Sequence, residues 1–180
     1  MPSDLRRLKL TKSFGSLDFD QDGTIDEVDA VALAQLWCDT FELDPRSEAW
    51  RRIHRCAYIL LRDVPGVLDD DGIKRIALDE WLAFGDHPDF AGYVEEIAIP
   101  FSVAVFTAAD KDKDGMLTPP DMMAAHLKAE MSEADSRLAF SSLDTDGDGY
   151  VSVSDYFAAN REFYLSEDPA ARGNFLAGHL

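Results

Sequence analysis

Apolar residues recur at three- and four-residue spacing along most of this chain, which is the pattern of amphipathic α-helices. An early stretch carries Leu10, Phe14 and Leu17 on one face. Longer stretches run over residues 47–62 and 90–106, and each has room for several helical turns. Short polar segments rich in aspartate and glycine interrupt the helical pattern. The chain is therefore predicted to be all-α.

Three of the polar segments repeat one arrangement, D-x-D-x-D-G. They occupy residues 18–29, 110–121 and 144–155, and each ends in an aspartate six positions after the glycine of the motif. We number the twelve places of each segment 1 to 12 and call the segments loop 1, loop 3 and loop 4. Place 8 is always apolar; its residues are Ile25, Leu117 and Val151.

This repeat supplies oxygen atoms in the order that a calcium site needs. Calcium takes about six to eight oxygens at roughly 2.3–2.6 Å: carboxylates from places 1, 3 and 5, the carbonyl of place 7, place 9 through a water, and place 12. The predicted ligands are Asp18, Asp20, Asp22, Thr24, Asp26 and Asp29 in loop 1; Asp110, Asp112, Asp114, Met116, Thr118 and Asp121 in loop 3; and Asp144, Asp146, Asp148, Tyr150, Ser152 and Asp155 in loop 4. This is the loop of an EF-hand, the helix–loop–helix calcium motif.

A single aspartate-rich turn is commonly only a solvated turn. Three copies with amphipathic helices on both sides favour ion binding. Glycine at place 6 fits a sharp turn that other residues enter only with strain. Pro119 and Pro120 fit the first turn of the helix after loop 3, behind Thr118 as N-cap, because N–H groups there lack intrahelical partners.

The last place departs from the usual motif, because Asp29, Asp121 and Asp155 stand where glutamate is typical. Aspartate is one methylene shorter, so the loop must contract or the carboxylate must bind through one oxygen. Fewer oxygens suit octahedral Mg²⁺ better than Ca²⁺. We therefore expect Mg²⁺ to compete at these sites.

EF-hands pair, so three loops imply a fourth. Its best register is residues 69–80, with Asp69, Asp71 and Glu80 at places 1, 3 and 12, and Ile76 at place 8. Place 5 is Ile73, which has no side-chain oxygen, and place 6 is Lys74 instead of glycine. Two interpretations stay open: a weak ion site, or a hand kept only for pairing. The apolar Ile76 and the helix pattern favour pairing.

The spacing of the loops predicts two halves. Loops 3 and 4 are close enough to pair directly, whereas a long helix over 47–62 separates loop 1 from residues 69–80. The turn at 86–89 is too short for a flexible tether. We predict an N-terminal pair over 1–89 and a C-terminal pair over 90–180, packed into one globule, with short β-bridges between paired loops.

Charge and composition narrow the function further. The 180 residues carry a formal net charge of −18, yet 46% are hydrophobic, so a folded core is expected. Such an acidic surface should repel nucleic acid and anionic membranes. We expect no apolar run long enough to span a bilayer, a cytoplasmic location, and a monomer.

The remaining chemistry-bearing residues suggest no enzyme. Cys38 and Cys56 lack a CxxC spacing and are expected to be buried thiols. The four histidines show no metal-type or triad spacing, and no nucleophile–base set or phosphate loop is visible.

Taken together, the chain resembles the sarcoplasmic calcium-binding protein family, especially its calerythrin-like bacterial branch. The shared features are three intact loops, a decayed second loop, the long segment before it, and a tail with Asp168-Pro169 and Gly173-Asn174-Phe175-Leu176. The resemblance implies a compact cytosolic calcium buffer or carrier without catalysis. It also implies that Phe175, Leu176 and Leu180 tuck into an apolar cavity between the halves; the alternative is a frayed tail.

Two other functions remain open. A calcium sensor would expose a Met-rich groove to an unidentified protein partner, and Met116, Met122, Met123 and Met131 cluster around loop 3. A luciferin-binding protein or photoprotein would hold a chromophore, with Trp37, Trp50 and Trp81 as candidates for lining its cavity.

Overall fold

A computed structural model of the chain describes residues 4–64 and 74–178. The α-helices of this part are α1 (Asp4–Leu17), α2 (Glu27–Thr40), α3 (Glu48–Arg62), α4 (Leu78–Gly85), α5 (Phe90–Tyr93), α6 (Ile99–Ala109), α7 (Pro119–Lys128), α8 (Glu133–Leu143) and α9 (Val153–Leu165). The short strands are β1 (Thr24–Ile25), β2 (Ile76–Ala77), β3 (Met116–Leu117) and β4 (Val151–Ser152). The predicted all-α class is confirmed.

Each loop lies between two helices, and the loops pair through antiparallel bridges. Strand β1 pairs with β2, with Ile25 opposite Ile76, and β3 pairs with β4, with Leu117 opposite Val151. All four of these apolar side chains are buried. The prediction that place 8 pairs the loops is confirmed, including the bridge formed by Ile76 in the degenerate hand.

The helices after the three intact loops begin at side-chain N-caps, of which Thr118 was predicted. Thr118 accepts a hydrogen bond from the backbone N–H of Asp121, so Pro119 and Pro120 fall in the first turn of α7. Asp26 and Ser152 cap α2 and α9 in the same way through their side-chain oxygens. Place 9 therefore fixes where each exiting helix starts.

A central helical segment joins the two halves. It runs from α5 through a π-helical turn (Val94–Ala98) into α6. Pro100, at the start of α6, has no N–H to donate, and its ring crowds the carbonyl one turn earlier. A widened π turn just before it accommodates both effects.

This segment also corrects an expectation from the sequence. Within the described residues, Phe90–Ala109 is long and apolar enough to cross a membrane, judged by length and composition alone. The expectation that no run reaches that length was wrong by this measure. Half of its most apolar stretch is buried inside the structure, where α6 packs against α3 and α9. Because neighbouring helices cover several sides of this segment, its apolar residues are spread around the helix and are not confined to one face.

One buried core extends across both halves. Leu10 from α1, Leu60 from α3, and Phe90 and Phe101 from the central segment belong to the same apolar cluster. Buried polar groups find partners across it: the Trp81 indole N–H donates to the carbonyl of Leu10 at 3.0 Å, and the Tyr93 hydroxyl donates to the carbonyl of Leu60 at 2.7 Å. The halves therefore share interior contacts.

The tail after α9 returns to the body of the protein. Arg172–Phe175 forms a 3₁₀ turn against α8 and α9, and Leu176 lines a cavity of about 510 Å³ with residues from both halves. Phe175 and Leu176 are partly buried, and Leu180 lies outside the described residues.

Only one of the three tryptophans lines this cavity. Trp37 does so, whereas Trp81 is fully buried in the core and Trp50 packs on His54 with ring centroids 3.8 Å apart. The structure therefore brings one of the three candidate tryptophans, Trp37, to this cavity. Helical register explains this, because each tryptophan lies on a different helix and follows that helix's own buried face.

Candidate metal centre

Each intact loop gathers the carboxylates of places 1, 3 and 5. In every loop, one oxygen from each of the three aspartates lies within 4.8 Å of the others. The three sets are Asp18, Asp20 and Asp22; Asp110, Asp112 and Asp114; and Asp144, Asp146 and Asp148. Three negative charges this close repel one another unless a cation joins them.

Backbone conformation explains how the loops become so tightly wound. The place 6 glycines have φ values of +93°, +84° and +88°, which side chains rarely tolerate. Each glycine N–H donates to the place 1 aspartate, at 3.1 Å from Gly23, 2.9 Å from Gly115 and 3.1 Å from Gly149. The sequence motif therefore fixes both the turn and the orientation of its first carboxylate.

Asp18 gives the clearest sign that a cation fits. Its side chain is 8% exposed, and one oxygen, Oδ2, accepts the Gly23 N–H. The other oxygen, Oδ1, is buried without a hydrogen-bond donor among the described residues. A buried carboxylate oxygen without a partner costs free energy, and a bound cation would remove that cost.

Electrostatics in loop 3 point in the same direction. The charge of Asp114 raises the pKa of Asp112, with smaller contributions from desolvation and from Asp110. In loop 1, hydrogen bonds from Thr24 instead lower the pKa of Asp22. The carboxylates of loops 1 and 3 therefore differ in how their protonation is shifted, and a bound cation would offset the repulsion in loop 3.

The place 12 aspartates lie outside these three-carboxylate clusters. Asp29 accepts the backbone N–H groups of Phe19 at 2.7 Å and Asp26 at 2.8 Å, and burial raises its pKa. Asp121 accepts from both the N–H and the hydroxyl of Thr118. These carboxylates close the first turn of the exiting helix, as capping-box acids do. Their role as calcium ligands stays a prediction, as does that of places 7 and 9.

Asp155 of loop 4 has a partner outside its loop in addition to hydroxyls within it. It accepts from the hydroxyls of Ser152 and Thr145. Its Oδ1 also lies 3.5 Å from Nη1 of Arg172, a residue of the tail. The hydrogen bond from Ser152 is the main cause of its lowered pKa, to which Arg172 also contributes.

Two arginines near the loops were not predicted from the sequence. Arg172 lies beside Asp155, and Nε of Arg75 lies 3.9 Å from Oδ2 of Asp26 in loop 1. Neither belongs to a recognisable motif, and both reach their carboxylates through tertiary packing. The position of Arg75 near loop 1 could have been predicted, because the pairing of the place 8 residues brings residue 75 towards that loop.

The degenerate hand is described only in part. Its Asp69, Asp71 and Ile73 lie outside the described residues. Lys74 donates to the carbonyls of Leu61 at 3.2 Å and Arg62 at 2.9 Å, at the end of α3. Its ammonium thus satisfies helix-terminal carbonyls. Glu80, at place 12, accepts the N–H of Ala77, as a capping-box acid does.

The two thiols fit unreactive positions. Burial raises the pKa of Cys38 to about 11 and also raises that of Cys56. Cys38 is buried and Cys56 partly so, and both are free. A thiol with a raised pKa carries little thiolate at neutral pH, so neither suits nucleophilic chemistry.

Comparisons with known proteins agree with this geometry. A family model of the EF-hand domain pair matches residues 102–161. No curated protein sequence matches the chain. Among solved structures, a calcium-binding protein of Streptomyces coelicolor is 30% identical, with 91% of this chain and 99% of that chain covered and a TM-score of 0.72. That structure is described as a basis for prokaryotic calcium-mediated regulation.

More distant structures share the architecture. The coelenterazine-binding protein of Renilla muelleri is 20% identical, with 99% of this chain and 100% of that chain covered and a TM-score of 0.68. The calcium-regulated photoprotein mitrocomin of the jellyfish Mitrocoma cellularia is 18% identical, with coverages of 97% and 92% and a TM-score of 0.75. At these identities the likeness shows the fold alone.

Proposed function

Because this chain belongs to the EF-hand family of calcium-binding proteins, as its resemblance to the sarcoplasmic type indicated, we propose that it buffers or carries Ca²⁺. Loops 1, 3 and 4 are the proposed sites, and Mg²⁺ is the proposed competitor. The proposed setting is the cytoplasm, and the proposed role involves no catalysis.

The observation that carries the buffer proposal is where the apolar faces of the hands point. Leu17 and Leu33 of hand 1 lie in a core shared with Phe101 and Val105 of the central segment. A sensor instead needs an apolar groove that opens to a partner. Apolar faces that are packed against each other support the buffer proposal, because they leave no open groove to which a protein partner could bind.

The methionines of hand 3 fit the same interpretation. Met122 is 2% exposed and belongs to the core around Leu117. Met116 is 36% exposed, at place 7 of the loop and away from that core. The cluster seen in the sequence is therefore split between interior and loop, which weakens the argument for a methionine-lined groove.

The second candidate is a calcium sensor that regulates a protein partner. The observation that favours it is the Streptomyces coelicolor protein, which is described in terms of calcium-mediated regulation. Calcium titration of the metal-free protein in millimolar Mg²⁺, followed with a dye for exposed apolar surface, separates the two candidates. For a buffer, the dye signal falls or stays constant while calorimetry shows that calcium is binding. A dye signal that rises with calcium supports the sensor.

The number of sites is tested in the same calcium titration. Calorimetry is expected to count three calcium ions per chain. Asp146→Asn, which removes the place 3 carboxylate of loop 4, is expected to reduce that count to two. Fewer than three ions in the unmodified protein would contradict the proposal for at least one loop.

A further inference from the structure

The last carboxylate of loop 4 is paired with a cation from the tail. We call residues 166–178 the C-terminal strap. Its Arg172 lies 3.5 Å from Asp155 through Nη1 and 3.6 Å from Glu162 through Nε. The Arg172 side chain is only 31% exposed, so the guanidinium is held against α9.

The strap is fixed next to Arg172 by a close backbone approach. Gly173 donates its N–H to Glu162 at 3.0 Å. A Cβ at this position would lie 2.3 Å from the carbonyl oxygen of Ala159 and 2.7 Å from the backbone nitrogen of Phe163. Only glycine permits this approach, and it sets the position from which Arg172 reaches loop 4.

A second anchor comes from the first helix. Lys9 is fully buried, and its ammonium donates to the carbonyl of Ser166 at 2.6 Å, to the carbonyl of Glu162 at 3.1 Å and to Oδ1 of Asn174 at 3.1 Å. These bonds hold both ends of the segment that carries Arg172. The guanidinium is therefore pre-positioned and loses little side-chain freedom when it pairs.

The other two intact loops treat their last carboxylate differently. Asp29 accepts N–H groups of its own loop, and Asp121 accepts from Thr118 of its own loop. Loop 4 instead shares Asp155 between its own hydroxyls and a side chain seventeen residues away in sequence. The positive guanidinium beside the place 12 carboxylate reduces the negative charge that would attract a calcium ion.

We infer that Arg172 is an internal competitor for calcium at loop 4, so that the ion and the C-terminal strap exclude each other at Asp155. This inference rests on the proposed function of loop 4 as a calcium site. When Asp155 turns to a bound ion it releases Arg172, and the strap loses one of its contacts. By linkage, releasing the strap strengthens ion binding by the same factor.

The place 6 glycines provide a separate readout for each loop. Each donates its N–H to the place 1 aspartate, so its amide proton reports ion binding in that loop alone. We would titrate calcium into the ¹⁵N-labelled, metal-free full chain and follow Gly23, Gly115 and Gly149. For Arg172→Gln we expect half-saturation at Gly149 to move to roughly two- to fivefold lower calcium, the range for a partly exposed ion pair. Gly23 and Gly115 should not move.

Arg161→Gln is the matched control. Arg161 is also on the α9 side of the protein and also pairs with a carboxylate, Oε1 of Glu95, at 2.6 Å. This variant removes the same charge without touching Asp155, so its Gly149 midpoint should match the unmodified protein. Arg172→Lys keeps the charge and should recover most of the original midpoint. Unfolding by urea checks that all variants fold.

The outcomes separate this inference from the proposed function. No response of Gly149 in the unmodified protein overturns both. A response that Arg172→Gln leaves unchanged, or weakens, overturns the inference alone; weakening would mean that Arg172 orients Asp155 for the ion. Hydrogen exchange adds a second readout: calcium should speed exchange of the Gly173 and Leu176 amides relative to amides of α3, and equal or slower exchange contradicts the mutual exclusion.

Discussion

Ile25 of loop 1 lies directly opposite Ile76 of the degenerate hand, and the two side chains are 0% and 1% exposed. The pair joins an intact loop to one that lacks part of its ligand set. Whatever residues 69–80 do with ions, this contact holds the first hand in place.

Ile76→Ala is therefore expected to act on both stability and loop 1. Truncating a buried isoleucine costs about 2–4 kcal/mol of unfolding free energy. The loosened bridge should also weaken calcium binding at Gly23 more than at Gly149, read from their amide shifts. Val31→Ala is the control, because Val31 lies on α2 outside loop 1 and is 57% exposed. Equal weakening at both loops would mean that the bridge does not act locally.

Asp121→Glu tests the effect of the short acid at place 12. The longer side chain can reach the ion with both oxygens, so the ratio of Ca²⁺ to Mg²⁺ affinity at loop 3 should rise. Competition titrations that follow Gly115 measure this ratio. An unchanged ratio would show that the length of the last residue does not set selectivity here.

Asp112→Asn tests whether charge crowding destabilises the metal-free protein. The Asp114 charge is the main cause of the raised pKa of Asp112, so the amide should relieve repulsion in loop 3. We expect higher stability without calcium and loss of the Gly115 response with calcium. Lower stability in chelator would contradict the electrostatic account.

Gly173→Ala should loosen the C-terminal strap. Its new Cβ would meet the Ala159 carbonyl oxygen at 2.3 Å, and forced overpacking typically costs about 1–3 kcal/mol. Urea unfolding in chelator measures the loss. Gly92→Ala has nothing within 4 Å of the new Cβ and should be neutral or slightly stabilising. Similar losses in both variants would point to a general intolerance of alanine.

Acidification should destabilise the metal-free fold through His126. Burial lowers the pKa of His126 to about 4, below its ordinary value near 6.5. Between these values the unfolded chain binds a proton that the folded chain does not, so stability falls as pH falls. The expected loss from pH 7 to pH 5 is about 2 kcal/mol. His126→Gln should lose less than the unmodified protein over that range; an identical slope would assign the effect to other groups.

Much of this architecture was predictable because the EF-hand loop encodes its own geometry. Glycine at place 6 and aspartate at place 1 determine the turn locally, and apolar place 8 residues determine pairing. The buried Lys9 was not predictable, since a lysine on an amphipathic helix normally faces water and its acceptors lie more than 150 residues later. The pairing of Arg172 with Asp155 also depends on the path of the tail, which no local pattern specifies.

The buried Lys9 limits when α1 can pack during synthesis of the protein. It is synthesised well before its acceptors Glu162, Ser166 and Asn174, which lie more than 150 residues later in the chain. Closing such distant contacts is slow compared with forming local ones. Until residues 162–174 have been synthesised the ammonium must remain in water, so α1 can reach its final position only after that.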